Sequence, residues 1–376
     1  MSVLSDGRGP IRIALVGLGW ATRSIWLPRL RGNPAFTVTA AVDPAEGSRA
    51  AVAGAQDTAG LSTFATIHDL DPAVVDLAVV AVPNHLHCAV AGELLAKGIA
   101  VFLEKPVCLT SEEAERLADA ERSGGAVLLA GSAAAYRADV RGLYRLATRL
   151  GRIRHVELAW VRARGVPDRG GWFTQRSLAG GGALVDLGWH LFDIAGPLLG
   201  TAAFRHAIGT VSADFITRRS SRADWRGDDG DALTGGTDVE DTARGFLVTD
   251  DGRSVALHAS WASHEALDTT RITIDGSGGS ATLRCTLGFS PNRLQESTLT
   301  RTMDGETHPV AVPTEPVGAE YDRQLAALPA QLRDPAGPGR AIAEVRRTIG
   351  AIERVYASAR SAPAQEAPKA REAEPV

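Results

Sequence analysis

Lysine, cysteine and long apolar runs are scarce in this chain of 376 residues. Lysine occurs only at Lys97, Lys105 and Lys369, so a lysine inside a motif stands out. The cysteines are odd in number and widely spaced, which argues against a disulfide framework or a zinc site and favours buried free thiols. The longest apolar runs have the length of a strand, so the sequence predicts no membrane-spanning helix.

A strong excess of charge is also missing. The net charge is −4 and the isoelectric point is about 6.2, so there is no electrostatic reason to expect a nucleic acid or an anionic membrane as partner. Residues 1–10 lack the apolar core of a signal peptide, and we therefore expect a cytoplasmic protein. Composition predicts disorder at residues 1–10 and 361–376, and the length suits two domains, at residues 11–131 and 132–360.

A recognisable functional pattern begins close to the amino terminus. The apolar run Ile11–Val16 predicts a strand, which is followed by a turn with Gly17 and Gly19 and then by a helix. A second predicted strand, Phe36–Val42, ends directly before Asp43. Strand, glycine turn, helix and strand with a terminal acid form the layout of a dinucleotide-binding βαβ unit.

The chemistry of dinucleotide binding explains this spacing. Gly17 allows a sharp turn, and Gly19 lacks the Cβ that would keep a pyrophosphate away from the N–H groups at the start of the helix. Asp43 is placed to accept hydrogen bonds from the adenosine ribose, and its charge would repel a 2′-phosphate, which favours NAD over NADP. Thr22 departs from the small third residue of the motif. The alternative is an ordinary turn in a chain with 40 glycines.

Alternating strands and helices predict a doubly wound α/β domain over residues 10–131. Ligands of such sheets bind beyond the carboxyl ends of the strands. Predicted strands end not only at the glycine turn and Asp43 but also at Pro83-Asn84 and at Glu104-Lys105-Pro106. These strand ends should converge on one crevice.

The second half of the chain has a different pattern, with alternating strands separated by turn residues. It predicts an open, mostly antiparallel sheet with one covered face. The predicted strands cover residues 153–162, 201–218, 241–248, 254–263 and 271–275, and the predicted helices cover residues 137–150, 180–199, 321–332 and 341–360. Residues 227–236 read as a loop of glycine and aspartate.

Two places carry residues suited to proton transfer. Most lysines are solvated surface charges, but Lys105 follows a buried strand and faces the predicted cofactor crevice. On the glycine-led helix 180–199, Asp186 and His190 are four residues apart and share one face, and Asp193 lies near the same stripe. The pair is either a simple helix pair or part of a reaction site; as half of a metal site it lacks further ligands. The intrinsic pKa of histidine suits the removal of a hydroxyl proton.

These motifs together resemble the glucose–fructose oxidoreductase/inositol dehydrogenase (Gfo/Idh/MocA) family. The resemblance rests on Gly17-x-Gly19, Asp43, Pro83-Asn84-x-x-His87, Glu104-Lys105-Pro106, Gly180-Gly181-Gly182 with Asp186, Gly188, His190 and Asp193, Tyr136-Arg137, Val239-Glu240-Asp241-Thr242-Ala243 and Ile274-x-Gly276-x-x-Gly279. It extends over nearly the whole chain. Ala138 and Asp139 depart from the proline that often follows the Tyr-Arg pair.

The resemblance implies a Rossmann domain, a carboxy-terminal α/β domain whose sheet packs against another subunit of a homodimer or homotetramer, and catalysis by Lys105, Asp186 and His190. Lys105 and His190 would share substrate binding and proton transfer, and Asp186 would hold the substrate or orient its partners. The residues predicted to bind NAD are Gly17, Gly19, Trp20, Ala21, Asp43, Val82, Pro83, Asn84, His87, Glu104, Lys105 and Pro106. The residues predicted to bind substrate are Lys105, Tyr136, Arg162, Trp172, Asp186 and His190.

Aromatic and arginine side chains between residues 160 and 176 bear on the substrate. Trp172 and Arg162, with Asp168 nearby, suit a polyhydroxylated ring, and the arginines suit a phosphate or carboxylate. Packing of Trp172 and Phe173 at the domain interface is an equally weighted alternative. The polar residues 225–231 are a candidate cover for the site.

We therefore expect an NAD-dependent oxidoreductase that interconverts a secondary alcohol and a ketone on a sugar, amino sugar or cyclitol. One alternative keeps this fold but oxidises a glycoside only transiently, to permit its hydrolysis. The other is a non-catalytic sensor of dinucleotide or sugar, which would have been free to lose Lys105, Asp186 and His190.

Overall fold

The computed structural model describes residues 9–54, 60–167, 170–223 and 236–361. Several sequence predictions lie outside these ranges. They are the disorder predicted at both ends of the chain, apart from the described residues 9, 10 and 361, the loop at 227–236 except for residue 236, the candidate cover at 225–231, and Asp168. Within the described ranges, no helix is long and apolar enough to cross a membrane.

The amino-terminal half forms a parallel sheet of six strands in the order β3-β2-β1-β4-β5-β6. Its strands are β1 (Ile11–Val16), β2 (Phe36–Val42), β3 (Ser62–Phe64), β4 (Leu77–Val80), β5 (Ala100–Leu103) and β6 (Leu128–Ala130). The helices between them are α1 (Leu27–Arg31), α2 (Glu46–Ala53), α3 (His87–Ala96) and α4 (Ser111–Gly124). The predicted Rossmann architecture is confirmed.

The edge strand β3 was not predicted from the sequence. Helix α2 ends at Ala53, and Ser62–Phe64 pairs with β2 as a separate strand. This strand has three residues, two of them exposed, and therefore lacks the apolar run by which buried strands are recognised.

The carboxy-terminal half forms a second sheet of eight strands in the order β14-β13-β12-β11-β7-β10-β9-β8. Its strands are β7 (Ile153–Val161), β8 (Phe204–Ser212), β9 (Thr242–Thr249), β10 (Ser254–Ser260), β11 (Thr269–Gly276), β12 (Gly279–Cys285), β13 (Thr298–Met303) and β14 (Glu306–Val310). All neighbouring pairs are antiparallel except β7 and β10. The predicted large, mostly antiparallel sheet is confirmed. Its helices are α5 (Ala138–Ala147), α6 (Arg176–Ala179), α7 (Trp189–Leu199), α8 (Ala319–Arg333) and α9 (Arg340–Ser361).

Helices cover one face of this second sheet. Val156, Leu158 and Trp160 of β7 are buried there, in register with Val255 and Leu257 of the parallel strand β10. The opposite face carries half-exposed polar and apolar side chains, as expected for a one-sided antiparallel sheet. The covered face supports the helix that carries Asp186 and His190.

Candidate active site

A cavity of about 690 Å³ lies where the carboxyl ends of β1, β2, β4 and β5 meet the second domain. Most of the predicted site residues line it, from both halves of the chain. They are Gly17, Gly19, Trp20, Ala21, Asp43, Val82, Pro83, Asn84, His87, Glu104, Lys105, Arg162, Trp172, Asp186 and His190. The predicted cofactor residues and the predicted catalytic residues therefore border one continuous space.

At the glycine turn, backbone without side chains borders this cavity. Gly17 has a φ of +83°, and a Cβ on it would lie 2.7 Å from the Ala81 carbonyl oxygen, so the turn requires glycine. A Cβ on Gly19 would meet no atom within 4 Å, because this residue borders open space. Thr22, where the motif has a small residue, is buried and donates its hydroxyl proton to the Gly17 carbonyl at 2.5 Å. The turn thus has room for a pyrophosphate.

Asp43 lies at the end of β2, and both of its carboxylate oxygens bind backbone. Oδ2 accepts a hydrogen bond from Leu18 N at 2.8 Å, and Oδ1 accepts one from Ala45 N at 2.9 Å. A carboxylate oxygen can accept more than one hydrogen bond, so this fixed carboxylate retains capacity for ribose hydroxyls. Together with the bare turn at Gly19, it fits a dinucleotide.

The residues after β4 connect the two halves of the chain. Asn84 is buried and donates from Nδ2 to the Ala179 carbonyl at 2.9 Å. The ring nitrogens of His87 contact the Pro106 carbonyl at 2.6 Å and the Val82 carbonyl at 2.9 Å. Pro106 does not line the cavity, in contrast to the prediction; through its carbonyl it supports His87.

Lys105 and Asp186 form an ion pair across the interface of the two domains. Nζ of Lys105 donates to Oδ1 of Asp186 at 2.5 Å, and the other oxygen, Oδ2, accepts from Trp261 Nε1 at 2.9 Å. Behind this pair, the Glu104 carboxylate accepts hydrogen bonds from Trp26 Nε1 at 2.8 Å and from Lys105 N at 3.1 Å. Burial raises the pKa of Glu104, and the Lys105 charge opposes that rise.

His190 lines the same cavity, one helical turn beyond Asp186. Its ring centroid lies 5.6 Å from that of Trp160, and its Nδ1 has no hydrogen-bond partner among the described residues. Burial, and to a smaller extent the positive charge of Lys105, lowers the pKa of His190 to about 3 against the opposing charge of Asp186. The imidazole is therefore neutral at neutral pH and able to accept a proton.

Close packing around Gly182 fixes where the helical segment that carries Asp186 begins. A Cβ on Gly182 would lie 1.8 Å from the Glu240 carbonyl oxygen, so only glycine fits there. The buried Oε1 of Glu240 accepts hydrogen bonds from Gly182 N, Leu184 N and the Tyr356 hydroxyl at 3.0, 3.1 and 2.7 Å. The chain then continues as a π-helical segment, Leu184–Gly188, before α7. The single helix predicted over residues 180–199 therefore consists of two consecutive helical segments, this π-helical one and α7.

Some of the predicted substrate residues line the catalytic cavity, and one, Tyr136, does not. Arg162 and Trp172 line the cavity, and the guanidinium of Arg162 lies 5.1 Å from the Trp160 ring. Phe173 also borders the cavity, but it is buried and packs 6.0 Å from the Trp261 ring.

Tyr136 is not part of this cavity, in contrast to the prediction. It ends a short 3-10 turn, Ala133–Tyr136, in which Ala133 and Ala134 face the large cavity and Tyr136 faces a separate one. Its hydroxyl accepts a hydrogen bond from Gln331 Nε2 at 3.0 Å. Asp193 lines that second cavity as well. Sequence spacing did not reveal which side of the turn each residue faces.

Sequence reasoning missed Trp261 and Trp26, the two indoles that bind carboxylates of the site. Trp261 is fully buried just beyond β10, and Trp26 is almost fully buried near the start of α1. In the sequence both resemble ordinary core residues, and nothing local distinguishes them. Among the described residues, no group of three or more histidine, cysteine, aspartate or glutamate side chains is arranged to hold a metal ion.

Comparison with known proteins gives consistent matches over both halves of the chain. Residues 11–132 match the profile of an oxidoreductase family with an NAD-binding Rossmann fold, and residues 146–282 match the GFO/IDH/MocA C-terminal domain. A protein of Amycolatopsis mediterranei (strain S699), assigned as the oxidoreductase subunit of a UDP-kanosamine synthase, is 58% identical over 94% of this chain and 97% of its own length.

Two further comparisons agree with these matches. D-glucoside 3-dehydrogenase of Escherichia coli (strain K12) is 29% identical over 67% of this chain and 71% of its own length. The crystal structure of GenD2, from gentamicin A biosynthesis and in complex with NAD, shares the fold with a TM-score of 0.71 and 22% identity. That alignment covers 95% of this chain and 96% of GenD2.

Proposed function

Because the chain belongs to the Gfo/Idh/MocA family of oxidoreductases and carries an NAD-binding Rossmann domain, we propose that it oxidises a secondary alcohol of a sugar with NAD+. The proposed substrate is a hexose attached to a nucleoside diphosphate, and the proposed position of oxidation is carbon 3. The observation that carries the reaction type is the Lys105–Asp186 ion pair beside His190, in the cavity that begins at the glycine turn.

The proposed mechanism divides the proton chemistry between two side chains. Bound NAD+ supplies the acceptor for the hydride that leaves the carbinol carbon. His190, neutral because burial lowers its pKa, accepts the hydroxyl proton. The Lys105 ammonium donates a hydrogen bond to the same substrate oxygen and stabilises the negative charge that develops on it.

Asp186 has a positioning role in this proposal. Its two oxygens already accept hydrogen bonds from Lys105 and Trp261, both protein groups, at 2.5 and 2.9 Å. In this role it orients the Lys105 ammonium and offsets its charge. Of the two roles that the resemblance left open for Asp186, holding the substrate or orienting its partners, we propose the second.

The proposed substrate draws on the names of two relatives. One is a UDP-sugar synthase subunit and the other oxidises a glucoside at position 3. The cavity contains features that suit such a substrate: the Arg162 guanidinium for phosphate oxygens, and the Trp172 ring for a face of the sugar.

The first test is NADH formation, measured by absorbance, with UDP-glucose, methyl glucoside and myo-inositol as alternative substrates. We expect NADH with UDP-glucose, loss of turnover in Lys105→Ala and His190→Ala, and NAD binding retained in both variants. Arg162→Ala should raise KM for UDP-glucose while leaving methyl glucoside unaffected. Unchanged turnover in Lys105→Ala would contradict the proposed mechanism.

The same preparation separates the hydrolase alternative. An enzyme that oxidises only transiently would release free sugar from the glucoside without accumulating NADH. Net NADH formation with intact products supports the dehydrogenase, and sugar release without NADH would replace it by the hydrolase.

A further inference from the structure

A second cavity, of about 320 Å³, lies beside the catalytic one and shares two walls with it. One wall is the turn Ala133–Tyr136, where Ala133 and Ala134 face the catalytic cavity while Ala135 and Tyr136 face the second one. The other wall is α7, which presents His190 to the catalytic cavity and Asp193 to the second. The two spaces are therefore neighbours along the same helix.

The wall of this second cavity contains a buried carboxyl group. Oδ2 of Asp193 is buried and has no hydrogen-bond partner among the described residues, while Ser132 and Thr348, which also line this cavity, hydrogen-bond to the same carboxyl group. The residue four positions later is Pro197, within the same helix, and it lacks the N–H that would donate to the Asp193 carbonyl in a regular α-helix. A buried acceptor oxygen without a donor is costly, so Oδ2 of Asp193 suits a ligand that brings a donor.

Other parts of the wall supply donors and an apolar surface. The Tyr136 hydroxyl accepts a hydrogen bond from Gln331, which leaves its own proton for another acceptor. Arg141 lies over the Tyr136 ring at 5.2 Å, and Phe192 adds a second ring to the lining. A cavity with donors, acceptors and aromatic faces suits a polyhydroxylated ring.

The charges of the lining argue for a neutral ligand. Burial raises the pKa of Asp193 to about 7 and also raises that of Glu344, so these carboxyl groups oppose an anion only in part, while Arg141, Arg340 and Arg347 oppose a strong cation. The volume is at the small end of the range of about 300–1,000 Å³ that is usual for ligand sites, so it accommodates one ring and not a nucleotide sugar.

We propose that this second cavity is a binding site for a neutral monosaccharide or cyclitol, separate from the catalytic site and attached to the same helix. The ligand hydroxyls donate to Asp193 and accept from Tyr136 and the arginines at the entrance. Because Asp193 is three residues after His190, occupancy of this site fixes the segment that positions the catalytic histidine.

The test counts binding sites for free D-glucose by equilibrium dialysis of the NAD-loaded full-length chain. We expect two sites per chain in the wild type and one in Asp193→Asn. Ala135→Leu fills the second cavity without altering its acceptors and should also leave one site. Asp250→Asn, which removes an exposed carboxylate in a distant turn, is the matched control and should keep two.

Crystals of the NAD-loaded protein soaked in D-glucose identify which site each variant has lost. Sugar density beside Asp193 in the wild type, absent in Asp193→Asn and Ala135→Leu while density in the catalytic cavity persists, supports the proposal. A wild type without sugar beside Asp193, or variants that both retain sugar there, would overturn it and leave a cavity filled by solvent.

Discussion

The indole of Trp261 holds one oxygen of Asp186 while Lys105 holds the other. No sequence motif marks this tryptophan, because its role depends on a contact between residues 75 positions apart. The motif residues Lys105, Asp186 and His190, by contrast, were identified from spacing, and the fold does bring them to one cavity. Their catalytic roles stay predictions.

Replacing Trp261 by phenylalanine should slow turnover without weakening NAD binding. The change removes the N–H donor to a buried carboxylate oxygen of Asp186, at a cost of about 1–3 kcal/mol, so we expect kcat to fall roughly tenfold or more. Steady-state kinetics and NAD titration measure this. Trp160→Phe is the matched control, because the Trp160 N–H has no partner among the described residues. Equal losses in both variants would argue for packing alone.

The pH dependence of kcat/KM should reveal the low pKa of His190. A histidine of ordinary pKa would be protonated, and lost as a base, as the pH falls through about 6.5. Burial lowers the pKa of His190 to about 3, so the base remains available and its contribution should be flat from pH 8 to pH 5. A loss of wild-type activity centred between pH 6 and 7 would contradict this assignment.

Asp43 should determine the choice between NAD and NADP. Its carboxylate is fixed by Leu18 N and Ala45 N at the cavity edge, where it would repel a 2′-phosphate. In Asp43→Ser we expect the preference for NAD over NADP to shrink by about tenfold or more, as expected for a lost charge contact of about 1.4 kcal/mol. The ratio of kcat/KM for the two cofactors measures it, and an unchanged ratio would exclude the ribose contact.

Secondary-structure elements were predictable where one strong local signal determined them. Strands β1 and β2 have the bounds predicted for them, Ile11–Val16 and Phe36–Val42. The short edge strand β3 and the π-helical segment Leu184–Gly188 were missed. Both depend on pairing or packing with residues distant in the sequence, which local periodicity does not encode.

Glu240 should stabilise the start of the segment that carries Asp186. Glu240→Ala removes the acceptor of three hydrogen bonds and leaves Gly182 N, Leu184 N and the Tyr356 hydroxyl unsatisfied, so we expect the free energy of unfolding to fall by about 2–4 kcal/mol. Glu240→Gln retains an acceptor oxygen and should cost about 1 kcal/mol. Urea denaturation compares the two, and equal losses would show that the negative charge, and not the hydrogen bonding, matters.

On the scale of the whole molecule, the division into a Rossmann domain and a sheet domain was visible in the sequence. The packing of the carboxy-terminal helices α8 and α9 against the Rossmann domain was not. Leu325 and Leu328 of α8 join Ile13 and Leu15 of β1 in one core cluster. Arg346 of α9 pairs with Glu115 of α4. These contacts connect residues hundreds of positions apart, beyond the reach of any local pattern.

The uncovered face of the second sheet should form an interface between copies of the chain. Ile208 and Phe246 are paired across β8 and β9 and are 74% and 48% exposed, so two large apolar side chains lie side by side on this face. We propose a homodimer or homotetramer, as the family resemblance implies. Phe246→Glu should shift the species in sedimentation velocity towards monomer. Val317→Glu, at a similarly exposed valine away from this sheet, should not. A wild type that sediments as a monomer would exclude the interface.

The return of α8 to the first sheet sets an order of events during protein synthesis. Ribosomes deliver the chain from its amino terminus, and domains usually fold as they emerge. Here the apolar face of β1 around Ile13 and Leu15 remains without α8 until nearly the whole polypeptide has been made. The nucleotide-binding half therefore completes its core only after the sheet domain has been translated. A nascent chain stalled before residue 319 leaves this apolar face exposed, as a surface of the kind that chaperones bind.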